Sequence, residues 1–244
     1  MIEVGLQLWS FYHMERESLE KCIRTAAELG YSKIETAGFF DLDAKRIKKL
    51  CDELGIYVCG THSGAKYLTP DVFEKTLEDH LTLGCKNLII PAWKVEDPDA
   101  REELVATINR IHPVLEENGI TLHWHNHSPE LMLTDDQYYF HDMLCERTKI
   151  NFQVDVYHTF AAGLDPVDFI ERYKDRVKCI HLRDGMGYQL EGKALGEGLC
   201  PIKKCLDYAV ANGLDMTVEN AAWEPDAVSQ AKKCIDYIKA NCVK

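Results

Sequence analysis

The chain repeats one pattern of hydrophobic and polar residues along most of its length. A stretch with apolar residues at helical spacing ends in glycine, and a short apolar run follows at once. The glycine suits the left-handed backbone position that ends a helix. The pattern occurs at AAELGYSKIET, CDELGIYVCGTH, HLTLGCKNLIIPAW, LEENGITLHWH and AVANGLDMTVEN, and its glycines are Gly30, Gly55, Gly84, Gly119 and Gly213.

Eight β-strands are predicted when VGLQLWS, INFQVD and VKCIHL are added to these five runs. Amphipathic stretches such as SLEKCIRTAAEL and REELVATINRIHPVLEE lie between them. Eight alternations of strand and helix predict an α/β fold, a (β/α)8 TIM barrel forming a single domain over residues 1–244. A doubly wound open sheet is the alternative, but FYHMERES after the first strand is not a Gly-rich phosphate turn.

The net charge of −12 opposes nucleic acid as a partner, because phosphate binding needs clustered Lys and Arg. The ten cysteines are scattered, and several lie inside apolar runs. The start MIEVGLQLWSF lacks the features of a secretion signal. We therefore expect reduced, mostly packed thiols in a cytoplasmic protein. No apolar run approaches the length of a membrane span, so no membrane partner is expected.

Four predicted strands end on side chains that bind metals. In a parallel barrel the carboxyl ends of the strands meet at one mouth, and imidazoles with carboxylates suit a divalent metal there. The runs are TLHWHNH, FQVDVYH, KCIHLRD and MTVEN, and their metal-binding side chains include His125, His127, Asp155, His158, His181, Asp184 and Glu219.

Each of these residues also has a structural explanation of its own. Asp155 could cap the following turn, and His181 could be a hydrogen-bonded core histidine. Glu219 could form an ion pair inside the barrel. Asp184 could contact substrate, orient an imidazole or form a turn, and Arg183 could hold a hydroxyl or phosphate group.

Three further predicted strands end on polar residues, Glu35, His62 and Lys94, which we expect on the same face of the barrel. The longest connection, residues 184–199, follows the seventh strand and is rich in glycine and polar residues. Its position favours a loop over the barrel mouth that contacts substrate.

The segment HWHNHSPEL of the fifth strand is dense in polar residues. His125 and His127 share one face of the strand, and Asn126 lies on the other. Glu130 follows in the loop.

The sequence resembles the sugar phosphate isomerase/epimerase family of xylose-isomerase-like TIM barrels over essentially the whole chain. The motifs that carry the resemblance include GLQLWSF, GYSKIETAGFF, GITLHWHNHSPEL, DVYHTFAAGLDP, IHLRDG and TVEN. It implies one divalent metal, manganese first, with magnesium, cobalt or zinc as other choices. It also implies Asp155, His181 and Glu219 as ligands, with His158 near the substrate.

The fifth strand departs from the better-studied epimerases, which carry a glutamate where this chain has His125. The fourth ligand could be Glu130, His125 or His127; we place Glu130 first and His125 second.

The expected reaction is proton abstraction next to the carbonyl of a keto-sugar or related polyol, through an enediolate that leads to isomerisation or epimerisation. Glu219 or a residue of the fifth strand would be the base, and His158 or His62 would handle the second proton. The expected partner is a small sugar, and homo-oligomers are common in the resembling family. The substrate would be contacted by His125, Asn126, His127, Arg183, Asp184, Glu35 and Lys94.

Three alternatives are open. A metal-dependent lyase or dehydratase acting on a keto-sugar or keto-glycoside shares the same enediolate. A metal-dependent hydrolase, such as an abasic-site endonuclease, is opposed by the acidic charge. A non-catalytic sugar-binding protein, or a subunit that needs a partner, is the third.

Overall fold

The computed structural model describes residues 2–187 and 192–242, apart from the side chains of residues 13, 15 and 16. Within these residues, eight parallel strands close into a barrel in chain order, and the last strand pairs with the first. The predicted (β/α)8 barrel is confirmed. Its strands are β1 (Gly5–Gln7), β2 (Lys33–Thr36), β3 (Tyr57–His62), β4 (Asn87–Ile90), β5 (Thr121–His125), β6 (Asn151–Asp155), β7 (Val177–Leu182) and β10 (Asp215–Val218).

Helices follow the strands and surround the barrel. Short 3-10 turns at Leu8–Phe11, Ala65–Tyr67 and Pro129–Met132 follow strands β1, β3 and β5. The helices are α1 (Tyr12–Glu17), α2 (Leu19–Leu29), α3 (Ala44–Leu54), α4 (Phe73–Leu83), α5 (Pro98–Glu117), α6 (Tyr139–Arg147), α7 (Val156–Ala161), α8 (Pro166–Arg172), α9 (Ile202–Asn212) and α10 (Ala227–Asn241).

The helix ends follow from local chemistry. All five glycines of the repeating pattern have positive φ, between 64° and 92°, as predicted for the position that ends a helix. Several helices begin at a side chain that accepts a backbone N–H, as Ser18 does for α2 and Asp43 for α3. Because each helix ends at a defined residue, the strand after it begins at a defined residue. This determines which side chains lie at the carboxyl end of that strand.

The barrel interior is unusually polar. Alternate residues of each strand point to opposite faces. On β5 and β6, Trp124 and Val154 belong to the hydrophobic core, while His125 and Gln153 are hydrogen-bonded to each other. Leu, Val and Ile commonly fill the interior of such barrels, so a polar interior indicates that it supports a site.

The predicted loop after β7 contains a two-stranded antiparallel piece, β8 (Asp184–Gly185) with β9 (Gly192–Lys193). Part of this loop, residues 188–191, lies outside the described residues. Asp184 holds the loop together, since its oxygens accept the backbone N–H groups of Gly185, Gly196, Gly198 and Cys200 at 2.8–3.0 Å.

Two predictions, on the cysteines and on membrane spans, can be compared with the structure. All ten cysteines are free, and eight are buried, so the expected packing of the thiols is confirmed. In the parts of the chain that the structure describes, no helix combines the length and apolar composition that crossing a bilayer requires.

Candidate metal and substrate site

A cavity of about 480 Å³, here called the main cavity, opens at the carboxyl ends of the barrel strands. Trp9, from the turn after β1, and Lys66, from the turn after β3, also line it. Six residues that the sequence predicts for the site lie in its wall: His62, His125, His127, His158, Arg183 and Glu219.

Four side chains of the types that bind metals converge beside the main cavity. One ligand atom each from His125, Asp155, His181 and Glu219 lies within 4.8 Å of the others, and all four residues are buried. They come from separate strands: β5, β6 and β7 carry the first three, and Glu219 directly follows β10. A second group that meets the same criterion joins His62 to His125 and His181. Two imidazoles with two carboxylates suit a divalent transition metal.

Asp155 fits a metal through one unpaired oxygen. Its Oδ1 accepts the backbone N–H of His158 at 2.8 Å, so the residue also caps α7. Its Oδ2 is buried without a hydrogen-bond partner among the described residues. Burial raises the pKa of Asp155 to about 6, although the charge of Arg183 opposes this. A buried carboxylate oxygen without a donor is unfavourable, and a cation would remove that cost.

Gln153 and Glu35 orient the two imidazoles from inside the barrel. His125 Nδ1 lies 3.1 Å from Gln153 Oε1, and Gln153 Nε2 donates to Glu35 Oε2 at 2.8 Å. His181 Nε2 lies 2.7 Å from Glu35 Oε1, and its Nδ1 lies 3.0 Å from Glu219 Oε2. Because Gln153 Oε1 and Glu35 Oε1 can only accept, each imidazole can donate to them and keep its other nitrogen for a cation.

Charge is concentrated at this network. Burial alone lowers the pKa of His181, but the carboxylates of Glu35 and Glu219 raise it to about 10. Burial alone raises the pKa of Glu219, but the hydrogen bond and charge of His181 and the charge of Arg183 hold it well below its usual range. A divalent cation can replace the proton on His181 because the same carboxylates attract it.

Glu35 lies inside the barrel and contacts two of the imidazoles. Its Oε1 accepts Gln7 Nε2 and lies 2.9 Å from His62 Nε2, in addition to the contact with His181. Burial alone raises the pKa of Glu35, but the charges of His181 and His62 keep it well below its usual range. Both carboxylate oxygens are therefore occupied inside the barrel, and Glu35 lies outside the wall of the main cavity.

Arg183 joins Glu219 and His158 at the main cavity. Its Nη1 donates to Glu219 Oε1 at 3.2 Å and lies 3.0 Å from His158 Nε2. A guanidinium can only donate, so His158 Nε2 accepts, and Nδ1 faces Ser128, whose Oγ lies 3.1 Å away and whose backbone N–H lies 3.3 Å away. Burial first, and Arg183 second, lower the pKa of His158 well below its usual value. A neutral imidazole, an ionised carboxylate and a guanidinium thus lie side by side.

Glu130, the first choice for the fourth ligand, does not join the four-residue group. Its Oε1 accepts the backbone N–H of His127 at 2.6 Å, so it caps the turn that follows β5. Burial raises the pKa of Glu130 to about 8. His125, the second choice, is the residue of β5 that reaches the group. The His127 ring lines the main cavity instead, with its centre 4.6 Å from that of His158.

Three residues that the sequence predicts to contact substrate lie outside the wall of the main cavity. Asn126 Oδ1 accepts the Asp155 backbone N–H at 2.9 Å, so its side chain connects β5 to β6. Both oxygens of Asp184 are occupied by loop N–H groups. Lys94 is exposed in the segment after β4, outside the wall of the main cavity.

The sequence interpretation missed Gln7, Gln153, Trp9 and Lys66. Strand alternation could have indicated Gln153, because it lies two residues before Asp155 and shares its face. Gln7 pairs in register with Glu35, and this pairing is visible only in the closed barrel. Trp9 and Lys66 lie in turns whose paths the pattern does not determine.

The family of the chain follows from comparison. A family model described as xylose isomerase-like TIM barrel matches residues 23–241. The chain belongs to this family. The motif resemblance found in the sequence is thereby confirmed.

The proteins to which this chain is similar include a dehydratase and epimerases. An inosose dehydratase from Geobacillus kaustophilus is 24% identical over 192 residues, which are 68% of this chain and 61% of that protein's length. A sugar phosphate isomerase/epimerase structure from Parabacteroides distasonis has a TM-score of 0.79 and 25% identity, covering 96% of each chain. A D-allulose 3-epimerase structure from Methylomonas sp. has a TM-score of 0.72 and covers 98% of both chains; at 17% identity it shows the shared fold.

Proposed function

We propose that this protein is a divalent-metal-dependent isomerase or epimerase that acts on a keto-sugar or related polyol. The observation that carries the proposal is the buried group of His125, Asp155, His181 and Glu219, in which Asp155 Oδ2 has no other partner among the described residues. Manganese is the metal we favour for two imidazoles and two carboxylates. When bound, it would supply a Lewis acid that stabilises negative charge on the substrate's carbonyl oxygen.

Glu219 is the proposed base. Its Oε2 lies toward His181, while Oε1 lies at Arg183, in the wall of the main cavity. Oε1 can therefore reach a substrate proton while Oε2 remains with the ligand group. Arg183 keeps Glu219 ionised and can donate to a substrate hydroxyl.

His158 is the proposed group for the second proton. Its Nε2 and Glu219 Oε1 contact the same Arg183 nitrogen, so a substrate that engages Arg183 meets both groups. His62 is less suited, because its Nε2 is already within hydrogen-bond distance of Glu35 and Gln153. Proton removal by one group and return by another is the chemistry of isomerisation and epimerisation.

Elimination of water is the second candidate reaction. It begins with the same proton abstraction, and the Geobacillus relative named above is an inosose dehydratase. Product analysis separates the two reactions. Elimination removes the mass of one water, whereas epimerisation in deuterated water yields a sugar of unchanged composition with deuterium at the reacting carbon.

The test is exchange of the α-proton of keto-sugars in deuterated water, followed by NMR at saturating Mn²⁺. We expect metal-dependent exchange in the wild type and a loss of at least 100-fold in Glu219→Gln, because a general base contributes about 10² to 10⁴ in rate. Elemental analysis of each variant shows whether metal is still bound.

Glu130→Gln is the matched control. It replaces another buried carboxylate with the same amide, and the amide oxygen can still accept the His127 N–H. Exchange should survive in this variant. Full exchange in metal-loaded Glu219→Gln contradicts Glu219 as the base, and no exchange with any keto-sugar contradicts the proposed reaction.

A further inference from the structure

A second cavity of about 160 Å³ adjoins the main cavity. The side chains of His62 and Tyr67 line both cavities, so the two share a wall. This side cavity lies between the segment after β2 and helix α4. Neither the four-residue group beside the main cavity nor the proposed proton transfer uses the side cavity. Its walls include Thr36, Phe39, Phe40, Thr61, Ser63 and Tyr67.

The walls combine aromatic rings with hydroxyl groups. Thr61 Oγ1 already has partners, since it lies 2.8 Å from His80 Nε2 and 3.1 Å from Ser63 Oγ. Thr36 differs: its Oγ1 is buried and has no hydrogen-bond partner in the described part of the chain. Buried hydroxyls are nearly always hydrogen-bonded, so the Thr36 hydroxyl is available to a polar group of a ligand.

Phe40, in the wall of the side cavity, has an unusual backbone conformation. Its side chain is 49% exposed, and its backbone has φ 48°, in the left-handed region that bulky residues rarely adopt. Such a conformation is strained and persists where the surrounding structure imposes it, commonly at binding sites. An exposed aromatic ring held in this way is suited to stacking on a ligand ring.

We infer that the side cavity binds a second six-membered ring of the substrate, bearing at least one hydroxyl and attached to the sugar that reacts in the main cavity. Its volume resembles the roughly 150 Å³ cavity that accommodates benzene. The aromatic walls suit the faces of such a ring, and Thr36 suits its hydroxyl. A glycosyl group and a phenolic group share this chemistry. The identity of the reacting sugar rests on the proposed function, whereas the ring site does not.

Methyl NMR of the full chain tests the ring site directly. Phenol and methyl β-glucopyranoside are titrated as separate probes while the methyl groups of Thr36, Thr61 and Thr76 are observed. At least one probe should shift these signals saturably. Saturation by phenol identifies the phenolic class, and saturation by the glucoside identifies the glycosyl class.

Two variants and one control assign the response. Phe40→Ala and the isosteric Thr36→Val should each weaken probe binding at least fivefold, followed on Thr61. Tyr139→Ala removes a partly exposed aromatic ring on α6, outside both cavities, and should leave the affinity unchanged. The inference is overturned if neither probe saturates, or if Phe40→Ala binds as tightly as Tyr139→Ala.

Kinetics connect the ring site to the substrate. In Phe40→Ala, KM should rise at least fivefold for a glycoside of a keto-sugar, while kcat, and KM for the one-ring keto-sugar, stay unchanged. Equal effects on one-ring and two-ring substrates contradict the inference. Probe binding without any proton exchange contradicts the proposed function alone, and proton exchange without probe binding contradicts the ring site alone.

Discussion

His141 is a buried histidine whose two ring nitrogens have no hydrogen-bond partner among the described residues. It lies in α6, outside the barrel, and packs edge-on against Phe140, Phe152 and Phe169. Burial lowers its pKa to about 3. The imidazole therefore occupies an aromatic pocket as an uncharged ring, and it plays no part in the candidate site.

We predict that His141→Phe stabilises the protein. Each unsatisfied buried polar group costs about 1–3 kcal/mol, so the free energy of unfolding should rise by about 1–2 kcal/mol near pH 7.5. The gain should grow on acidification. The unfolded histidine binds a proton below about pH 6.5, whereas the folded one stays neutral down to about pH 3, so acid favours unfolding of the wild type.

Urea unfolding at pH 7.5 and 5.5 checks this prediction. The difference between variant and wild type should increase by about 1 kcal/mol at the lower pH. This pH-dependent part separates the electrostatic effect from packing changes caused by the larger ring. An identical difference at both pH values would contradict it.

At the scale of elements, the loop after β7 depends on Asp184 and on a glycine facing it. A Cβ atom added to Gly198 would overlap the Asp184 carboxylate and lie 2.6 Å from the carbonyl oxygen of Gly185. The loop and the carboxylate therefore cannot keep their arrangement if a side chain is present there. Gly64, also in a loop beside the main cavity, has open space around it.

We predict that Gly198→Ala loosens this loop while Gly64→Ala does not. Hydrogen exchange should become at least tenfold faster at the backbone N–H groups of residues 196, 198 and 200, because all three donate to Asp184. Exchange in barrel strands such as β6 should stay unchanged. Slow exchange that survives in Gly198→Ala would show that the loop does not depend on this close contact.

For the whole molecule, metal binding should be coupled to stability. A ligand that binds only the folded state at 100 times its Kd adds about 2.7 kcal/mol. For a chain of 244 residues this corresponds to a rise in Tm of roughly 5–10 °C. The four proposed ligands lie on three strands and directly after a fourth, so a bound metal would connect about half of the barrel.

We predict that Mn²⁺ raises Tm in the wild type and in His123→Gln, but not in Asp155→Asn. His123 lies on the same strand as His125 but contacts Asn87 instead of the ligand group, so it is the matched control. The shift should shrink between pH 7.5 and 5.5, because ligands must lose protons to bind metal and the pKa of Asp155 is raised to about 6. An equal shift in Asp155→Asn would exclude Asp155 as a ligand.

The pattern of apolar and polar residues determined the barrel and much of its site. Helical spacing, the glycines at helix ends and the apolar runs are local properties, so the sequence alone predicts eight strands and their order. Parallel strands bring their carboxyl ends to one mouth, and this made Asp155, His181 and Glu219 predictable as neighbours.

Only the tertiary structure decided which polar residues belong to the candidate site. Glu130 and Asp184 satisfy backbone N–H groups, Asn126 joins two strands, and Glu35 and Gln153 orient imidazoles inside the barrel. A carboxylate has the same sequence signature in each role, because its partners come from distant parts of the chain. Only closure of the barrel determines those partners, and with them the role of each polar side chain.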